Sequence, residues 1–291
     1  MKKLVIPYYK DGTFLTHLIT LKKYYNIVLY NGFNNCVWNG GRILDEKIQI
    51  TEMDIDTYNK FGISIGLTFT NSLLTKEHLN DKNGNELLKN LLISSIKYNI
   101  KNEIIINSDI LYDYIITKYP ESKQWFTFVY SITAHKNFPE FYKNNKISKE
   151  KIFKYYTNLF NKYDNVVIHS ELIIKQWFYN YLVQNNYLKQ TEIIINIIKG
   201  CNHCNKYKNH YDKISYYNLN YVANRKKFES SCMPCILEKV PKKFTEAFIP
   251  DKHKIIFIKR FNIIKFEGRS INNYNQFIKQ NDIILKLKGI Q

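Results

Sequence analysis

The sequence predicts an α/β protein built as a parallel (β/α) barrel, TIM-like with room for irregular turns, and carrying a Cys-rich insertion. Three observations lead there. Short apolar runs rich in β-branched residues recur along the 291 residues, as strands buried on both faces require. Longer amphipathic segments separate them, in a strand–helix alternation repeated about six times. No Gly-x-Gly-x-x-Gly turn follows any run, which favours closure into a barrel over an open doubly wound sheet.

The apolar runs are Leu4 to Tyr8, Ile27 to Tyr30, Ile63 to Phe69, Glu103 to Asn107, Trp125 to Ser131, Asn165 to His169, Glu192 to Ile198, Ile255 to Ile258 and Ile263 to Phe266. Between them, Glu86 to Lys97 sets Leu87, Leu88, Leu91, Leu92 and Ile96 at helical spacing. Ile110 to Lys118 follows Ser108 and Asp109, either of which can cap it. Ser148 to Tyr163 begins on a capping residue with Glu150 nearby. Glu171 to Asn185 carries Ile174, Trp177, Tyr181 and Leu182. The expected organisation is one barrel-like domain over 1–291, with a Cys-rich metal-binding segment at 200–236 inside it.

That segment holds four of the five cysteines as two pairs, Cys201-Asn-His-Cys204 and Cys232-Met-Pro-Cys235. A thiolate pair with two residues between its sulfurs grips a metal from a tight turn, and a second pair completes a four-sulfur shell. Unpaired core thiols and disulfides are the competing readings; no secretory signal favours an oxidising compartment. Zinc and an iron–sulfur cluster both accept four thiolates, and the spacing does not choose between them. Cys36, the odd cysteine, reads as a core thiol, since no base is placed beside it.

Hydrophobic residues make up 45% of the chain, which marks it as globular. The net charge of +18 favours polyanions such as RNA, although the lysines are spread along the chain. No apolar run reaches the length of a membrane span, so a soluble, cytoplasmic protein is expected.

In a parallel barrel, binding sites gather where the strands end. Polar residues fall there: Thr70-Asn71, Asn107-Ser108-Asp109, Ser131 to Thr133, His169-Ser170-Glu171 and Asn196. Asp109 and His169 are candidate acid–base groups. Asp109 would equally serve to open a helix, where a carboxylate suits the dipole. Gly40-Gly41 permits a close backbone approach, and Arg42 beside them would clamp an anion. Glu267 and Arg269 close the last apolar run on one side of an extended segment, where they would pair with each other or face a substrate.

The segment Lys265-Phe-Glu-Gly-Arg269 resembles the Lys-Ile-Glu-Gly-Arg signature of the collagenase-like peptidase family U-32. Tyr274 and Phe277 follow it as aromatic residues follow the family's signature, and the cysteines from Cys201 onward follow a strand as the family's do. The resemblance runs from about residue 60 to residue 280. It implies a barrel and a 4Fe–4S cluster on Cys201, Cys204, Cys232 and Cys235. It also implies hydroxylation or modification of RNA or of a small aromatic substrate, ahead of peptide hydrolysis. Lys265, Glu267 and Arg269 would then stand near the substrate. A second class stays open: a non-enzymatic nucleic-acid-binding or host-interaction protein of a virus or mobile element. There a structural zinc would shape a basic, tyrosine-rich surface.

Overall fold

The computed structural model describes residues 1–33, 35–40, 49–131, 148–173, 175–195, 215–216, 219, 259–266, 274–275 and 277. Eight parallel strands close into a barrel in sequence order. They are β1 (Lys3–Pro7), β2 (Asn26–Asn31), β3 (Ser64–Phe69), β4 (Asn102–Ile106), β5 (Phe126–Ser131), β6 (Asn165–Ile168), β7 (Thr191–Ile195) and β8 (Ile263–Phe266). The ring is sealed where β8 pairs with both β1 and β7. The predicted barrel is thus the observed fold. Ile255 to Ile258 and nearly all of the Cys-rich segment lie outside the described residues.

Strand residues alternate between two apolar clusters, as a period of two demands. Leu4, Ile6, Ile27, Leu29, Ile65, Leu67, Ile104, Ile106, Val166, Ile168, Ile193 and Ile264 face outward into the main core under the helices. Val5, Val28, Tyr30, Ile105, Val129, Val167 and Ile263 form a smaller cluster that fills the barrel. The same alternation turns Lys3, Glu103, Asn165, Glu192 and Lys265 inward.

The helices are α1 (Phe14–Lys22), α2 (Glu52–Lys60), α3 (Lys82–Tyr98), α4 (Asp109–Lys118), α5 (Ser122–Trp125), α6 (Lys149–Lys162), α7 (Ser170–Ile173) and α8 (Gln176–Gln184). Their starts follow local chemistry. Thr51 and Asp54 form a reciprocal capping box at α2. Ser148 caps α6 through Lys151 N–H. The α3 helix starts four residues before the predicted Glu86, because the Asp81 carboxylate accepts from Gly84 N–H at 2.7 Å. That cap draws Lys82-Asn-Gly-Asn85 into the helix, although its composition suits a turn. The helix ends on Asn99 in the left-handed conformation, φ 50°. The single helix expected from Glu171 to Asn185 is two, α7 and α8, because Lys175 is extended between them.

Trp38 ties the β2–α2 connection to the body. Its ring is fully buried, lies edge-on to Phe69 at 5.3 Å, and donates through Nε1 to the carbonyl of His78 at 2.7 Å. Gly84 lies under this ring, where a methyl group would come within 2.5 Å of it. Gly40 meets the backbone of Asn71 just as closely, which fulfils the expected close approach. Trp38→Ala would remove this anchor and leave a cavity. We expect a loss of about 3–5 kcal/mol in denaturant unfolding, with Gly84→Ala also destabilising by overpacking.

Candidate functional site

Four charged side chains occupy the inside of the barrel. Lys3 Nζ meets Glu103 Oε1 at 2.5 Å across the interior from β1 to β4. With its amide turned to satisfy both ends, Asn165 also accepts from Lys3 Nζ, at 2.9 Å. Lys265 Nζ lies 3.3 Å from Glu192 Oε1, linking β8 to β7. The Glu192 side chain is 0% exposed and that of Lys265 is 6% exposed. The Lys265 ammonium also lies 4.6 Å from the centre of the Tyr30 ring. Tyr30 in turn donates its hydroxyl to the Phe266 carbonyl at 2.7 Å, which fixes the ring against β8. Gly66 helps make this room: a methyl there would press on Ile105 at 3.2 Å and on the stem of Tyr30.

The two acids are not equally served. Glu103 is satisfied at one oxygen by Lys3, while its Oε2 accepts no hydrogen bond among the described residues. Neither oxygen of Glu192 accepts an aligned hydrogen bond there, so its contact with Lys265 is an ion pair alone. Burial dominates Glu192 and raises its pKa above the usual carboxyl value. Lys265 opposes that rise, Glu103 adds to it through like charge, and Lys3 opposes it from further off. Burial also works against the Lys3 ammonium, but Glu103 outweighs it and its pKa ends above the ordinary lysine value. The cluster is therefore a poised set of charges, with Glu192 as its most weakly held anion.

The strands end above this cluster, and Thr70, Asn71, Asn107, Ser108, Asp109, Ser131 and His169 stand at or just past those ends, while Asn196 lies outside the described residues. Just past β3, Thr70 Oγ1 donates to the Gly40 carbonyl at 2.9 Å, and Asn71 Nδ2 to the Val37 carbonyl at 2.8 Å. They fasten the 37–40 segment. Asp109 opens α4, with its side chain 66% exposed. It accepts from the Tyr163 hydroxyl at 2.5 Å and pairs with Lys162 at 2.9 Å. Burial resists its ionisation, but these two partners prevail and its pKa falls below the ordinary value. It is a well-bound carboxylate at the start of α4. His169 follows β6 directly; its backbone N–H donates to the Tyr156 hydroxyl at 3.2 Å.

Lys265 alone of the predicted signature trio is described, and it points into the barrel. Arg42, Glu267, Arg269, Cys201, Cys204, Cys232 and Cys235 lie outside the described residues. Among the described residues no group of three or more His, Cys, Asp or Glu could hold a metal. Cys36 is the core thiol expected, 1% exposed, with burial and then Asp81 raising its pKa. Tyr274 and Phe277 are fully buried against Tyr9 and Phe14, so the aromatic residues after the signature serve the core. No helix among the described residues is long and apolar enough to cross a membrane.

Glu192, Glu103 and Lys3 were not singled out by the sequence. A signal was present: Asn102-Glu-Ile-Ile-Ile106 and Thr191-Glu-Ile-Ile-Ile195 repeat one pattern, a glutamate at the second position of an otherwise buried strand.

Among solved structures, the chain is similar to the U32 peptidase Mk0906. The likeness has a TM-score of 0.53 at 11% identity and covers 91% of this chain and 92% of that one. The fold is U32-like. A chitinase from Chromobacterium violaceum is also similar, at a TM-score of 0.37 and 8% identity, over 67% of this chain and 68% of that one. Neither a protein-family model nor a curated protein matches the sequence.

Replacing Lys265 by Met would leave Glu192 with only the more distant attraction of Lys3. Between its ordinary value of 4.5 and its raised folded value, the folded protein holds a proton that the unfolded chain has lost. Stability therefore falls as pH rises through that window. We expect K265M to raise the folded pKa further, to lose about 3 kcal/mol near neutrality, and to lose more as pH rises. Urea unfolding of both proteins across a pH series measures this.

Proposed function

We propose that this chain is a metal-binding U32-like barrel protein that acts on RNA or a small anionic or aromatic substrate at the C-terminal mouth of its barrel. The observation that carries the reading is Lys265. It opens the segment that resembles the family signature, and it is a buried ammonium under the mouth, held between an ion-pair partner and an aromatic ring. An ammonium so placed attracts phosphate or carboxylate strongly, because little water screens it. Binding sites of parallel barrels gather at this end.

In this reading Glu192 holds Lys265 from below, and the Tyr30 ring lies beside its ammonium. Glu267, Arg269 and Arg42 would add charge around the substrate, and His169 or Asp109 would move a proton at the rim. Cys201, Cys204, Cys232 and Cys235 would hold the metal; four thiolates suit a tetrahedral zinc or a 4Fe–4S cluster. A cluster would supply electrons to the site, whereas zinc would staple the loops. The charge of +18 supports a polyanionic partner. Peptide hydrolysis, the activity in the name of the similar structure, is the reading to test beside it.

Purification without air, with metal and sulfide analysis, decides the first part. We expect a brown protein containing iron and acid-labile sulfide; a colourless protein with stoichiometric zinc would point to the binding-module alternative, and a metal-free one would sink both. Binding of a single-stranded RNA should weaken steeply with added salt. No binding at low salt, together with release of peptides from a denatured protein, would replace the RNA reading by hydrolysis.

A further inference from the structure

The pairing of Lys265 with Glu192 is skewed along the barrel axis. In register, Lys265 lies beside Ile194, whereas Glu192 lies beside Ile263. The lysine stem therefore starts two residues nearer the C-terminal mouth than its partner and leans down into the barrel to reach it. Its four-carbon stem is flexible enough to point either way. The contact that pulls it down is an ion pair at 3.3 Å, with no aligned hydrogen bond to lock it. The ring of Tyr30, pinned through its hydroxyl to the Phe266 carbonyl, gives the ammonium a second face to rest on.

We propose that Glu192 is a proton-gated positioning residue for Lys265. Ionised, it draws the ammonium down into the barrel; protonated, it lets the ammonium turn to the C-terminal mouth and meet an anion there. The second half of this statement rests on the proposed use of the mouth; the gate itself does not. The groups facing Glu192 favour such a gate. Lys265 on β8 and Lys3 on β1 attract its charge, and Glu103 on β4 repels it. Lys3 is already committed to Glu103, with Asp164 adding a weaker pull. Tyr30 on β2 offers its ring to Lys265 and its hydroxyl to the backbone. Burial favours the neutral acid, in line with the raised pKa of Glu192. A proton from solvent then changes the internal charge by one and removes the partner that holds Lys265 down.

Reductive methylation of the full chain, read lysine by lysine by peptide mass spectrometry, tests the gate. Lys82, whose side chain is 85% exposed with Glu86 3.8 Å away, is the internal reference for an exposed lysine amine at each pH. We expect the ratio of Lys265 to Lys82 labelling in the natural protein to rise several-fold from mildly alkaline to mildly acid pH. In Glu192→Gln, which mimics the protonated acid, the ratio should be high and flat. A flat ratio in the natural protein, or a folded E192Q chain that protects Lys265 as the natural one does, would overturn the gate. Should E192Q not fold, the pH series on the natural protein decides alone. Inorganic pyrophosphate added at acid pH should restore protection of Lys265. A ratio that rises with pyrophosphate giving no protection would overturn the anion role and the reading of the mouth, and leave the gate standing.

Discussion

The barrel closes around charge, and that constrains everything near it. A parallel barrel is normally filled by layers of branched apolar side chains. Here the filling includes two lysines and two glutamates. Burying each charge costs several kcal/mol, offset only if the partners meet well. Lys3 and Glu103 meet well. Glu192 and Lys265 do not fully, and this deficit lies inside the barrel between β7 and β8. An interior satisfied everywhere would be inert; one in which neither Glu192 oxygen accepts an aligned hydrogen bond among the described residues has a group that can respond to a proton.

Beyond β2 and β3, the described side of the mouth is closely packed. Trp38, Gly40, Asn71 and Gly84 form one packed unit, in which two glycines exist to let a ring and a backbone come close. Thr70 and Asn71 spend their polar groups on that unit, and Asp109 spends its carboxylate on Tyr163 and Lys162.

The barrel was legible in the letters because runs such as Glu103 to Asn107 and Asn165 to His169 are short, continuous and β-branched, which only buried parallel strands tolerate. Helix boundaries were less so. Asn83-Gly-Asn85 reads as a turn, yet Asp81 and the Trp38 ring recruit it into α3. Helices α1 and α2, Phe14–Lys22 and Glu52–Lys60, were missed: each is short, and α1 has no side-chain cap to mark its start. At the site, Lys265 was found through its resemblance to a signature. Its partner Glu192 was not, because a glutamate beside an apolar run looks like a strand's exposed end. Only barrel closure turns that position inward, and closure is a long-range fact that no local pattern carries. The sulfur pairs remain the sharpest local signal and concern residues beyond those described.

A double-mutant cycle on Lys265→Met and Glu192→Leu, read by urea unfolding at neutral pH, tests the central claim most directly. If the two side chains form the buried pair described, either change alone strands the other group, and the double variant recovers much of the loss. Costs that simply add would show that the two charges do not meet inside the barrel.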